Sequence, residues 1–311
     1  MISSFFTKTK PINYLVLLIS LLGFYILNYF FLKIQLENSL LFIAFFIALV
    51  LQSVGVQEIV RTRKITNTTT FAMLFFVLLC MAIPQIMNYK EVVLCNFFLM
   101  LSINPLLALK TLKEVKQKIF DGTLWICVAS IFDSWALFYL IVVFLAVYIY
   151  GTKEFRNWLV PFMAGIIFLL LSSSFLILTD NIIFLKEHYA ILKVPSSFTD
   201  NFIAHFSVKP FAFIATILVV ILLVFIKQGY QGVGRIIHLR LLLAYFLVGM
   251  TVFFLRTIEA NNYIVLLYTF FPAAIFATNF LETFKRKRFK EIVLTACVLV
   301  PFILFGIGLI K

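Results

Sequence analysis

The stretch from Gly122 to Tyr150 reads GTLWICVASIFDSWALFYLIVVFLAVYIY, and it decides how the rest of the chain is threaded. It is almost wholly apolar, interrupted at Phe132-Asp133-Ser134. As one helix it would be about 43 Å long at ~1.5 Å per residue, against a hydrocarbon core of roughly 30 Å. That excess requires a tilt beyond the usual range of about 0–40°. A turn at Asp133-Ser134 makes it instead a broken helix pair over 119–150, with legs 119–132 and 134–150 that are each short for a full span. The two readings put everything after residue 150 on opposite sides of a membrane.

Charge chooses between them. Apolar runs outside the stretch mark spans at 11–32, 39–60, 70–88, 91–108, 157–178, 210–227, 240–257, 262–281 and 291–310. With the hairpin the chain has about eleven membrane segments in one integral domain, residues 1–311. The 26 Lys and Arg residues then divide 19 to 7 between the two faces, whereas a single helix divides them 14 to 12. Only the first split follows the positive-inside rule. The hairpin reading therefore predicts a cytoplasmic N-terminus and a periplasmic C-terminus in a bacterial inner membrane. The 13 acids fall six on the inner face and seven on the outer, so the net charge of +13 belongs to the inner face alone.

Composition sets the class. The chain is 63% hydrophobic and 13% charged with a mean hydropathy of +1.10, where soluble domains carry about 25% charged residues. The expected fold is all-α, a polytopic transmembrane bundle; continuous apolar runs do not suit a β-barrel. The first apolar run is too long for a signal-peptide core and reads as the first span. Anionic lipid on the inner leaflet accounts for the basic excess, so no nucleic-acid partner is expected. Cys80, Cys95, Cys127 and Cys297 all sit in apolar runs and read as buried small hydrophobes.

Three connecting segments carry information. Residues 109–121 place Leu112, Val115 and Ile119 on one stripe among lysines, which predicts an amphipathic helix on the inner surface. In 179–209, Asp180 and Asn181 are placed to cap a short helix running to about Lys193. The run KRKRFK at 285–290 reads as a topology anchor.

Signatures of nucleotide binding, zinc hydrolysis and serine hydrolysis are absent, and no metal site or cofactor is expected. His188, His205 and His238 read as solvated loop residues. Polar groups at membrane depth carry the functional question. Asp133 sits at the turn, where a carboxylate must meet water or a partner; it is a candidate catalytic residue and equally a cap for the second leg. Arg256 and Glu259, at the outer end of span 240–257, form either a pair with each other or a substrate-binding site for an anionic group. Glu37 in the outer turn 33–38 is the second candidate carboxylate. Gln52, Asn96, Asn104 and Ser172-Ser173-Ser174 read as helix–helix hydrogen-bonding groups, and Pro84 and Pro105 as kinks.

The segment DGTLWICVASIFDSWALFYLIVVFLAVYIY, followed by KEFRNWLVPFMAG with Arg156-Asn157-Trp158, resembles the middle of an uncharacterised family of Bacteroidetes inner-membrane proteins. The hairpin, with Arg256, Tyr263 and Pro272 downstream, also resembles the GT-C class of polyprenyl-linked glycosyltransferases. The chain differs from that class in its first outer turn, which has six residues and one carboxylate, Glu37. The second resemblance implies a cell-envelope protein acting on or binding a polyprenyl-phosphate-linked precursor, among membrane lipids and membrane-protein partners. A non-catalytic subunit of an envelope assembly complex and a transporter are the alternatives, so whether the protein is an enzyme stays open.

Overall fold

The computed structural model describes residues 2–7, 9–32, 39–67, 69–83, 85–86, 89–150, 154–190, 208–228, 233–260, 263–284 and 286–310. Every regular element among them is helical. In chain order they are α1 (Ile2–Phe6), α2 (Pro11–Leu32), α3 (Ser39–Arg63), α4 (Phe71–Ala82), α5 (Lys90–Ala108), α6 (Val115–Phe132), α7 (Leu140–Ile149) and α8 (Arg156–Leu178). They continue as α9 (Ile183–Ala190), α10 (Val208–Gln228), α11 (Val233–Ala260), α12 (Leu267–Glu282) and α13 (Lys287–Ile310). Among the described residues seven helices are long and apolar enough to cross a membrane: in α3, α5, α8, α10, α11, α12 and α13. The chain is built as a multi-pass helical membrane protein.

Contacts divide it into two compact units. The first comprises Met1–Val93, Phe211–Ile236 and Thr269–Lys311. Its centre is α4, FAMLFFVLLCMA, which is apolar on every side and so is enclosed on every side, by α2, α3 and α13. Polar groups tie this unit together at known points. Gln52 Nε2 donates to the Val93 carbonyl at 3.0 Å, Gln57 Nε2 to Thr69 at 2.7 Å, and Tyr25 to Cys80 at 3.3 Å. Glu282 accepts from the Asn67 backbone at 3.0 Å and from Thr69 at 3.1 Å, while Arg235 donates to the Asn67 side chain at 3.3 Å.

The second unit, Leu94–Pro210 with Ile237–Tyr268, contains the hairpin. Here the chain reverses at Asp133: Lys116 at the start of α6 pairs with Glu154 beyond the end of α7 at 3.5 Å. A single long helix would hold those two residues far apart. The close approach of α5 and α6 depends on Gly122. A Cβ there would lie 2.8 Å from Leu106 Cδ2 and 3.3 Å from the Ser102 carbonyl. Above it Phe98 stacks on Trp125 and Phe132, with ring centroids 5.7 and 5.4 Å apart. Van der Waals fit of this kind holds helices together where lipid removes the hydrophobic drive between them.

Several expectations are corrected. Residues 109–121 do not form one surface helix: a 3-10 turn, Leu109–Thr111, ends at Leu112 and Glu114 in left-handed conformation, and α6 starts at Val115. The turn is held by Lys118, whose ammonium donates to Thr111 Oγ1 at 2.9 Å and to the Lys113 carbonyl at 2.6 Å. Leu112 is exposed while Ile119 is buried, so the proposed stripe is not a shared face. Helix α6 itself begins at Val115, four residues before the expected leg, and is about 27 Å long. The second leg opens with a 3-10 stretch, Ser134–Tyr139, whose ~2.0 Å rise per residue lengthens it to about 27 Å as well. Asp133 thus joins two legs of nearly equal length. The span expected at 70–88 narrows to α4, residues 71–82. Ser172, Ser173 and Ser174 bond to the carbonyls of Leu169 and Leu170 on their own helix, not to a neighbour.

Candidate functional site

The helix break places a carboxylate inside the second unit. At Asp133 the backbone turns extended (φ −143°, ψ 114°), while its N–H still donates to the Ala129 carbonyl at 3.2 Å. Asp133 Oδ1 accepts from the Trp135 backbone N–H at 3.2 Å, and the Asp133 carbonyl takes the Ala136 N–H at 2.9 Å. One residue thus closes α6 and caps the next turn, where the free N–H groups and the helix dipole favour an anion.

The same carboxylate has partners far away in sequence. Its Oδ2 accepts from the Tyr268 hydroxyl at 2.7 Å and faces Arg256 Nη2 at 3.6 Å. The Asp133 side chain is 1% exposed and that of Arg256 24%. A charge so buried is tolerable only with partners around it, and two hydrogen-bond donors and a cation are present. Around them lie the buried Cys95 and a tyrosine cluster. Tyr139 sits 4.6 Å from Tyr245 and edge-on to Tyr268 at 6.4 Å, centroid to centroid. Trp135 stacks on Phe138, and its buried indole N–H finds no acceptor among the described residues.

A second layer covers the last turn of α6. His188 Nε2 donates to the Ser130 carbonyl at 2.8 Å, and the Tyr189 and Ser130 hydroxyls share a bond of 2.9 Å. Burial raises the Tyr189 hydroxyl above its ordinary pKa range, and the bond to Ser130 opposes part of that rise. Helix α9 is therefore fastened onto α6 by side chains that the sequence offered only as loop polarity. His188 is not simply solvated, and His238 is no loop residue: it is buried in α11, and its Nδ1 shares a 2.8 Å hydrogen bond with the Tyr150 hydroxyl. His205 lies outside the described residues.

Of the four site residues expected from sequence, the structure brings two together. Asp133 and Arg256 form an ion pair. Glu259 continues α11 one turn beyond Arg256, but its side chain lies outside the described residues, as does all of Glu37. Tyr268, Tyr139, Tyr245 and Cys95 were not anticipated. Each is embedded in an apolar run where it adds no break in periodicity, so nothing in the linear pattern singles it out. Tyr263 and Pro272, which carried part of a resemblance, lie in the turn Tyr263–Leu266 and inside α12.

Chemically the arrangement restrains Asp133 more than it frees it. Both carboxylate oxygens are engaged, which leaves it poorly placed to take a proton from a substrate. Arg256 is different. Its guanidinium carries five N–H donors, one nitrogen lies 3.6 Å from Asp133 Oδ2, and its side chain is 24% exposed. A cation oriented by a buried carboxylate and itself partly exposed is suited to a phosphate or carboxylate oxygen. No family model matches the chain, and neither a curated protein nor a solved structure matches it.

Proposed function

We propose that this chain is an inner-membrane protein of the cell envelope that binds the phosphate-bearing head of a lipid-linked precursor at Arg256. Asp133 and Tyr268 act as positioning residues and not as the catalytic pair. The observation that carries this reading is the Asp133–Arg256 contact of 3.6 Å, in which the buried partner aims the partly exposed one. Arg256 ends an apolar span that begins at Arg235, so its guanidinium stands at the depth of lipid headgroups. The reading keeps about eleven membrane segments. To the seven long helices it adds the shorter apolar helices Pro11–Leu27, Phe71–Ala82 and Ser134–Ile149, together with α6.

The test is recovery of polyprenyl-phosphate lipids with the purified protein, quantified by mass spectrometry against total phospholipid. Arg256→Gln should lower that recovery several-fold while abundance in the membrane is kept, and Arg256→Lys should restore part of it. Equal recovery from wild type and Arg256→Gln would remove the binding reading and leave a structural subunit, held in its complex by protein contacts alone.

A further inference from the structure

At the opposite end of the hairpin, α6 and α8 run side by side and enclose a groove of about 350 Å³. Arg156, Leu159, Val160 and Met163 line it from α8, and Lys116 and Phe120 from α6. On α8 these positions are i, i+3, i+4 and i+7, a single face; on α6 they are i and i+4. Each helix therefore presents a cation in its first turn and apolar side chains further in, Phe120 one turn on in α6 and Leu159, Val160 and Met163 over two turns in α8. Met163 lies about 10 Å along the axis from Arg156, roughly the step from a headgroup phosphate to the upper acyl chain.

The electrostatics are unbalanced. Neither α6 nor α8 carries an acid in its first turn, so cations there face the positive ends of two helix dipoles. Glu154 answers Lys116 at 3.5 Å, but among the described residues no carboxylate reaches Arg156. Lys118, the other cation nearby, is spent on the carbonyls of the preceding turn. An anion between Lys116 and Arg156 would meet two cations and two dipoles, and would compete with the exposed Glu154 for Lys116. The apolar wall above, with Leu159 and Met163 exposed, selects an anion that carries a chain.

We infer that this groove is a binding site for an anionic glycerophospholipid, its phosphate between Lys116 and Arg156 and one acyl chain along Val160 and Met163. The test is native mass spectrometry of the full-length protein in micelles, titrated with phosphatidylglycerol and with phosphatidylcholine. Wild type should prefer phosphatidylglycerol. Lys116→Gln with Arg156→Gln should cut that preference roughly 30-fold, at about 1 kcal/mol for each cation. Lys116→Arg with Arg156→Lys should keep it, which separates charge from any effect on folding. Met163→Trp should weaken both lipids together and leave their ratio unchanged. An unchanged ratio in the double Gln variant would overturn the proposal. So would displacement of the lipid by equimolar glycerol phosphate, which would mark a site for a free phosphate. Arg288→Gln, which removes an exposed cation outside the groove, should leave this ratio as in wild type; an equal loss there would show nonspecific attraction and overturn the groove as a site.

Discussion

Two ion pairs sit at opposite ends of the second unit, and their lengths are nearly the same. Arg256 and Asp133 are 3.6 Å apart, Lys116 and Glu154 3.5 Å. Their surroundings differ sharply: Asp133 is 1% exposed, whereas Lys116 and Glu154 are 55% and 67% exposed. Distance alone would rank them as equals. Burial ranks them otherwise, because a carboxylate removed from water depends on each of its donors, while an exposed pair has solvent as an alternative. The first pair is therefore expected to contribute more to stability, and the second to be open to exchange with other ions.

That contrast is exposed to measurement, most strongly at Arg256. Arg256→Met leaves the buried Asp133 without its cation. The expected loss is about 2–4 kcal/mol, below the ~3–5 of a fully buried pair because Arg256 is partly exposed. Reversible unfolding in mixed micelles would read it, and a loss under about 1 kcal/mol would place this pair with the surface pairs. Tyr268→Phe deletes the 2.7 Å donor while keeping the ring. A hydrogen bond to a charged group is worth about 1.5–3 kcal/mol, and the same unfolding assay should show a loss of that size.

Asp133→Asn is the gentler probe. The amide oxygen can still cap at Trp135 or accept from Tyr268, so an expected loss of about 1–2 kcal/mol reflects the charge rather than the cap. A loss as large as that of Arg256→Met would mean that the cap and the ion pair cannot be separated. The smallest effect belongs to Glu154→Gln, at ~0–1 kcal/mol and fading as salt is raised. A salt-insensitive loss above about 1 kcal/mol would show that the exposed end is organised as tightly as the buried one.

Much of this molecule could be read along the chain, for a simple reason. Hydrocarbon tolerates only closed backbone hydrogen bonding, so a long apolar run has one available structure, and helices appear wherever such runs occur. Asp133 was visible as a break because a carboxylate and a serine interrupt an otherwise apolar segment, and the length of that segment against bilayer thickness required a reversal. Residues 109–121 were misread because periodicity sees side chains and not the carbonyls that Lys118 caps to end the turn. The length of the second leg is not legible because a 3-10 stretch rises further per residue than an α-helix, and sequence pattern does not distinguish the two.

Helical class, the position of the reversal and the polar residues it carries were determined by the sequence itself, through local rules of hydropathy and backbone satisfaction. Partnership was decided only in three dimensions. Asp133 meets Tyr268, 135 residues away, and Arg256 because of how α6, α11 and the turn before α12 pack. That packing rests on shape: Gly122 against Leu106, Phe98 between Trp125 and Phe132, Tyr139 against Tyr245. Apolar spans are nearly interchangeable in hydropathy, so nothing in their linear pattern says which of them will be neighbours. Steric fit between them does, and it exists only once they are assembled.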